Sequence, residues 1–262
     1  MKYIVCFSLF ISVFTVHISC DVDVADEDVS SLEVTLDSSE LVYPSNIMFF
    51  SQDFYLAIRY EEPVEAYIDT LSKLDLKKLN NDLVNHDDKL SFWINIYNSL
   101  VQYKLLVDAN SFGNMDAFFD TPDLIISGIP ISLNEVEHGI LRGKQSSNSI
   151  VQNFKLGKLD NRIHFTMNCG GSSCPAIAYY KPESLDQDLA AAEKIFCEST
   201  SSYDSVNNVL SVSELFDWFE EDFNGEEGIL EIMKSNQIIV DSITPTIQYI
   251  PYNWDLKSKK YK

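Results

Sequence analysis

Positive charge is what this chain most lacks: its 262 residues carry 19 Lys and Arg against 40 Asp and Glu, for a formal net charge of -21. No basic stripe is available to neutralise a phosphate backbone, so nucleic acid is excluded as a partner. A glycine-rich phosphate loop and a dinucleotide fingerprint are also missing, and no cofactor is implied. The 8 prolines and 9 glycines are scattered and no repeat of about 20 to 50 residues recurs, so neither a second linker nor a solenoid is indicated. Histidine is scarce at 4, and cysteine numbers 5. Chemistry that needs a thiol, an imidazole or a metal ligand must therefore draw on few residues.

Long apolar runs are missing too, except at the N-terminus. Tyr3 to Val16 follows a single lysine, Lys2, and is too short and too abruptly followed by acidic residues for a membrane span. Residues 1–19 read as an export signal. Ser19-Cys20 resembles the cleavage site of bacterial lipoproteins, although His17 stands where that site usually has leucine. The resemblance implies that Cys20 is the acylated first residue of a cell-envelope lipoprotein, touching a membrane only through that lipid. An ordinary cleaved secretory peptide, giving a secreted or periplasmic soluble protein, is the alternative. Residues 21–40 hold eight acidic side chains and no basic one, with too little apolar surface to offset ordering entropy. The stretch 20–42 thus reads as an acidic, flexible tether. Residues 43–262 fall within the range of one globular domain, and their closing LKSKKYK reads as a short solvated basic tail.

The strongest helical pattern is Lys89 to Asp108, free of glycine and proline and apolar around most of its circumference, which predicts a buried central helix. Asn95, Asn98 and Gln102 share one face of it by their spacing. Buried amides must be hydrogen-bonded, so this face either holds a neighbouring loop's backbone or lines a polar cleft. Shorter amphipathic helices are predicted over 46–59 and 64–71. Ser132-Leu-Asn-Glu135 has the capping-box pattern, predicting a helix to about Arg142 that Gly143 closes. Further helices are expected over 184–198 and 213–223 and around 229–233, and strands at 124–127, 209–211, 237–243 and 246–252. Arg162 to Asn168 alternates Ile163, Phe165 and Met167 with His164, Thr166 and Asn168, the period of a half-buried strand. The expected class is α+β, a helix-rich single domain with a small, largely antiparallel sheet.

The chemistry concentrates in RIHFTMNCGGSSCP, Arg162 to Pro175, with Cys169 and Cys174 on either side of a glycine-serine turn. A thiol of pKa about 8.5 needs a base or a positive field to become a nucleophile. His164 precedes Cys169 by five residues, about 16 Å along a straight strand, which makes it a poor partner. His138, on a separate helix, is the preferred base. Glu135, Glu137, Asn95 and Asn98 are the acceptors available to orient its ring. Glu135 lies three residues before His138 on the same helix face, whereas Glu137 points about 100° away, so local geometry favours Glu135. The backbone amides of Gly170 and Gly171, after Asn168, would form an oxyanion site. Cys197 reads as a buried, inert thiol. A metal site from Cys169, Cys174, His164 and His138 is not expected, because no second cysteine pair and no His-x3-His pattern accompany them.

Four runs, FWINIYNSL from Phe92, SLNEVEHGILRG from Ser132, RIHFTMNCGGSSCPAI from Arg162 and IQYIPYNWDL from Ile247, together resemble the bacterial and plant family catalogued as domain of unknown function 547. The family carries no assigned reaction. The resemblance implies functional weight for Asn95 and Asn98, for the pair Glu137 and His138, and for Cys169. It moves the preferred acidic partner of His138 to Glu137, and it favours Cys169 over Cys174 because plant members can replace the latter. A cysteine, a histidine and a carboxylate in one domain also suggest an analogy to papain-like or transglutaminase-like folds in altered element order.

Two functions follow as expectations. One is a cysteine-dependent hydrolase or acyltransferase in which Cys169 attacks a carbonyl, His138 moves the proton and Glu137 or Glu135 orients it. The other is a non-catalytic cell-envelope binding module in which Cys169 and Cys174 form a disulfide, with a peptide or small molecule as ligand.

Overall fold

The computed structural model describes residues 43–257. The expected signal peptide, Cys20, the acidic tether and the last five residues of the basic tail lie outside the described residues. A first group of helices comprises α1 (Ile47–Tyr60), α2 (Glu65–Lys73), α3 (Leu76–Asp82), α4 (His86–Val107) and α5 (Met115–Asp120). The hairpin of β1 (Leu124–Ile126) and β2 (Ile129–Ile131) follows, then a π-helix at Glu135–Leu141 and α6 (Ser149–Phe154). After a 3-10 turn at Asn161–Phe165 come α7 (Leu185–Thr200), β3 (Ser202–Asp204), β4 (Val209–Ser213), α8 (Leu215–Trp218), α9 (Gly225–Ser235) and β5 (Thr246–Ile250). The expected α+β class, rich in helix with small sheets, is what the chain adopts. One sheet is the antiparallel hairpin β1-β2; the other is mixed, with β4 antiparallel to β3 and parallel to β5.

α4 is the central helix that its composition predicts. Asn85 starts it with a capping box: its side chain accepts from the Asp88 amide, and the Asp88 carboxylate accepts from the Asn85 amide. Fourteen of its residues are buried, Trp93, Ile96 and Val101 among them, and α1 packs along it. A second apolar cluster gathers Phe165, Phe196, Phe216, Phe223, Leu210 and Val212 between α7, β4 and the segment after α8. Among the described residues no helix is long and apolar enough to cross a membrane.

Two expected strands are replaced by tighter structures. Residues 161–165 form a 3-10 turn because Asp160 caps it: its carboxylate accepts from the Arg162 amide, and its carbonyl accepts from the Ile163 amide. The alternation there had no solvent face to report, since residues 163 to 168 are all buried. The apolar run 237–243 is not a strand either. The amides of Gln237 and Ile238 close α9 on the carbonyls of Lys234 and Met233, with Gln237 at φ 60°, so they cannot join a ladder. The single helix expected over 213–223 is broken into α8 and a 3-10 turn at Glu220–Phe223, which leaves Phe219 half-buried against the core that holds Phe216 and Phe223.

The capping box at Ser132 forms as read: the Glu135 amide donates to Ser132 Oγ at 3.1 Å, and the Ser132 amide to Glu135 Oε2 at 3.1 Å. Gly143 ends the segment at φ +66°, where an added Cβ would lie 2.6 Å from the Leu156 carbonyl oxygen. Between them the helix is underwound to the i→i+5 pattern, with the Arg142 amide donating to the Glu137 carbonyl. That wider turn changes which side chains share a face.

Candidate functional site

The π-turn sends Glu135 and Glu137 to different places. Glu135 is used locally, accepting from the Ser132 amide, Ser146 Oγ and Asn148 Nδ2. Glu137 instead meets α4: Tyr97 OH donates to Glu137 Oε2 at 2.8 Å. Burial, and then the Glu137 charge, push the Tyr97 phenol well above its ordinary pKa, so it stays a donor. The carboxylate next to His138 is therefore Glu137, with Oε1 3.7 Å from Nδ1, too long for a hydrogen bond. Arg142 holds that nitrogen, its Nη1 lying 3.0 Å from His138 Nδ1. A guanidinium only donates, so Nδ1 accepts and the ring carries its proton on Nε2.

Arg142 links this pair to His164. Its Nε donates to Asp222 Oδ2 at 2.6 Å, the same oxygen that His164 Nε2 meets at 2.9 Å. Burial alone would raise the Asp222 carboxyl, but the bonds from His164 and Arg142 outweigh it and hold the group well below the usual carboxylate range. Burial lowers the His164 pKa, so the ring is neutral and donates from Nε2. Phe219 fixes both, stacked on the His164 ring at 4.0 Å and lying 4.7 Å under the Arg142 guanidinium.

Cys169 is joined to Cys174 by a disulfide, with the Cα atoms 6.1 Å apart. Its sulfur accepts from Tyr252 OH at 3.4 Å. The glycine amides beside it are engaged: that of Gly170 donates to Asn168 Oδ1 at 3.0 Å, and that of Gly171 to Cys174 Sγ at 3.2 Å. The turn is pinned to the C-terminal segment, where the Ser172 and Ser173 amides donate to the Asp255 and Asn253 carbonyls. Cys197 is the buried free thiol, pushed up to about 12 by burial and by Glu193.

The amides of α4 hold backbone. Asn95 Oδ1 accepts from the Tyr180 amide at 2.7 Å while Nδ2 donates to the Tyr180 carbonyl at 2.9 Å. Asn98 spans Thr166 and Asn168 in the same way, donating to one carbonyl at 2.9 Å and accepting from one amide at 2.8 Å. Gln102 reaches Asn168 Oδ1 at 3.3 Å. Neither asparagine lines a cleft or orients His138.

Glu137, His138, His164 and Cys169 all line one pocket of about 200 Å³. Its other walls are mostly aromatic. Trp218, Tyr252 and Trp254 pack against one another with ring centroids 4.9 to 5.5 Å apart, Tyr97, Phe119 and Phe219 join them, and Asn134, Met167 and Leu215 complete the lining. Larger hollows include one of about 660 Å³ beside Glu135, one of about 670 Å³ beside Tyr179 and Phe196, and one of about 320 Å³ beside Asp116 and Asp120. Volume does not select between them; the small pocket is where the titratable groups and aromatic faces converge. No group of three or more His, Cys, Asp and Glu among the described residues is arranged to hold a metal ion.

Residues 81–197 match the family model described as "Protein of unknown function, DUF547". No curated protein and no solved structure matches the chain. The matched segment contributes Tyr97, Glu137, His138, Arg142, His164 and Cys169 to the site. Asp222 and the aromatic wall come from beyond it. Tyr97, Arg142, Asp222, Trp218, Tyr252 and Trp254 were not picked out as site residues from the sequence. Tyr97 and Arg142 sit inside the NIYN and EHGILR runs and Tyr252 and Trp254 inside IPYNW, but Asp222 and Trp218 carry no local signal.

Proposed function

We propose that the protein is a binding module whose ligand site is the aromatic pocket, with the Cys169–Cys174 disulfide as its structural brace. The observation that carries this reading is the state of the would-be catalytic groups. The Cys169 sulfur is bonded to Cys174, both glycine amides are engaged, and His138 presents a protonated Nε2 because Arg142 occupies Nδ1. Such an imidazole donates a hydrogen bond and does not accept a proton. The pocket keeps what a ligand needs: apolar faces, one carboxylate and one donor.

The second reading is a thiol hydrolase or acyltransferase that acts once the disulfide is reduced. It is favoured by Cys169, His138 and Glu137 lining one pocket. It requires Arg142 to release Nδ1, so that His138 Nε2 can take the thiol proton.

The same proposal places the protein in a bacterial cell envelope, anchored through an acylated Cys20, as the apolar run and Ser19-Cys20 suggest. Non-reducing peptide mapping of the protein, alkylated in its native state, tests both parts. The expected digest contains a Cys169–Cys174 cross-linked peptide and an N-terminal peptide beginning at a lipid-modified Cys20. Alkylated Cys169 would favour the thiol reading, and an unmodified Cys20 would remove the anchor.

A further inference from the structure

We infer that the pocket takes a small organic cation, an ammonium group carrying methyl or short alkyl substituents. This rests on the binding reading above and names its ligand class.

The network at the pocket contains two carboxylates, Glu137 and Asp222, and one guanidinium, Arg142. Asp222 takes that guanidinium at 2.6 Å. Burial holds the His164 pKa down although Asp222 works against it, and His138 Nδ1 accepts from the Arg142 guanidinium. Glu137 is left with a neutral donor, Tyr97, on one oxygen, and no Lys or Arg among the described residues lies within 4.0 Å of the other, where the His138 ring stands at 3.7 Å. Its side chain is only 14% exposed, so water screens it poorly. A partly buried carboxylate without a cation, lining a pocket, is a place where a cation gains.

Trp218, Tyr252 and Trp254 offer indole and phenol faces whose negative quadrupole attracts an ammonium, and alkyl groups on nitrogen gain apolar contact with the same faces. Tyr252 stays neutral, because burial and the Glu137 charge raise its pKa. About 200 Å³ suits a group of tetramethylammonium size better than a sugar ring with its hydroxyl shell. The approach has the same sign. A second hollow adjoins the pocket through Phe119, Asn134 and Trp254 and is lined by Asp116 and Asp120, neither of which has a cationic partner within 4.0 Å among the described residues. With a formal charge of -21 on the whole chain, cations are steered toward this face and anions away from it.

The test is a calorimetric and tryptophan-fluorescence titration of the oxidised protein with choline and with 3,3-dimethyl-1-butanol, its uncharged isostere. Choline is expected to bind about tenfold or more tightly than the alcohol. Glu137→Gln is expected to erase that preference while leaving the thermal midpoint near wild type, and Trp254→Ala to weaken choline without touching the carboxylate. Equal affinity for the two probes, or an unchanged preference in Glu137→Gln, would overturn the cation assignment and leave the binding reading standing. If neither probe binds while other small molecules perturb the pocket residues, the ligand class is wrong. If nothing perturbs them, the binding reading itself fails.

Discussion

Asn98→Ala is expected to lower the unfolding free energy by about 3 to 5 kcal/mol, read from the denaturant midpoint. Asn98 is fully buried on α4, and its amide satisfies the Thr166 carbonyl and the Asn168 amide at once. Truncation leaves both backbone groups unpartnered in a site that water does not reach, at about 1 to 3 kcal/mol each, and opens a void besides. The same bonds set the path of the chain from Thr166 to Gly170, because Asn168 passes the constraint on to the Gly170 amide and the Pro175 carbonyl. The variant should therefore also loosen the turn that carries Cys169. A loss below about 1 kcal/mol would show that this amide face does not brace the turn.

Asp222→Asn is expected to cost about 3 kcal/mol at neutral pH and to flatten the acid side of the stability profile. Its side chain is 5% exposed and supports Arg142 and His164 through one oxygen, so removing its charge strands a guanidinium that is itself only 14% exposed. The pH dependence follows from the direction of the shift. The folded carboxyl titrates below its unfolded value of about 3.9, so its contribution is complete above that pH and is lost as pH falls through the folded pKa. His164 adds to the acid side: its folded pKa is depressed by burial, so below about pH 6.5 the unfolded chain binds a proton that the folded chain refuses. Wild-type stability should fall in two stages on acidification, below about pH 6.5 and again below about pH 4, with the second stage reduced in Asp222→Asn to what Asp160 and Asp204, also held below the usual carboxylate range, contribute. Urea melts across that range check it; a second stage as large as in wild type would assign the acid limb to other carboxylates.

How far the sequence discloses this molecule depends on whether the deciding interaction is local. The central helix, the Ser132 capping box and the Gly143 stop are set by neighbours within a few residues, and they are found where the pattern places them. The asparagine face is legible as buried amides in need of partners, though the partners, Tyr180 and Thr166 to Asn168, are 68 to 85 positions away. The alternation over 162–168 misleads because both of its faces are buried: His164 is polar toward Asp222, 58 positions on, and not toward solvent. The choice between Glu135 and Glu137 turns on a π-turn that i+3 spacing on a regular helix does not anticipate. Arg142 to Asp222 spans 80 positions and Cys169 to Tyr252 spans 83, so neither link leaves a periodic trace.

The central claim is that the functional site of the oxidised protein is the pocket bounded by Glu137, Cys169 and the aromatic wall. Amide and indole chemical-shift mapping of the unreduced protein against a small-molecule library tests it most directly. The account predicts perturbations that cluster at Tyr97, His138, Tyr252 and Trp254, with the Cys169–Cys174 bond intact throughout. Perturbations confined to the hollows beside Glu135 or Tyr179, or appearing only after reduction and with covalent capture of Cys169, would contradict it.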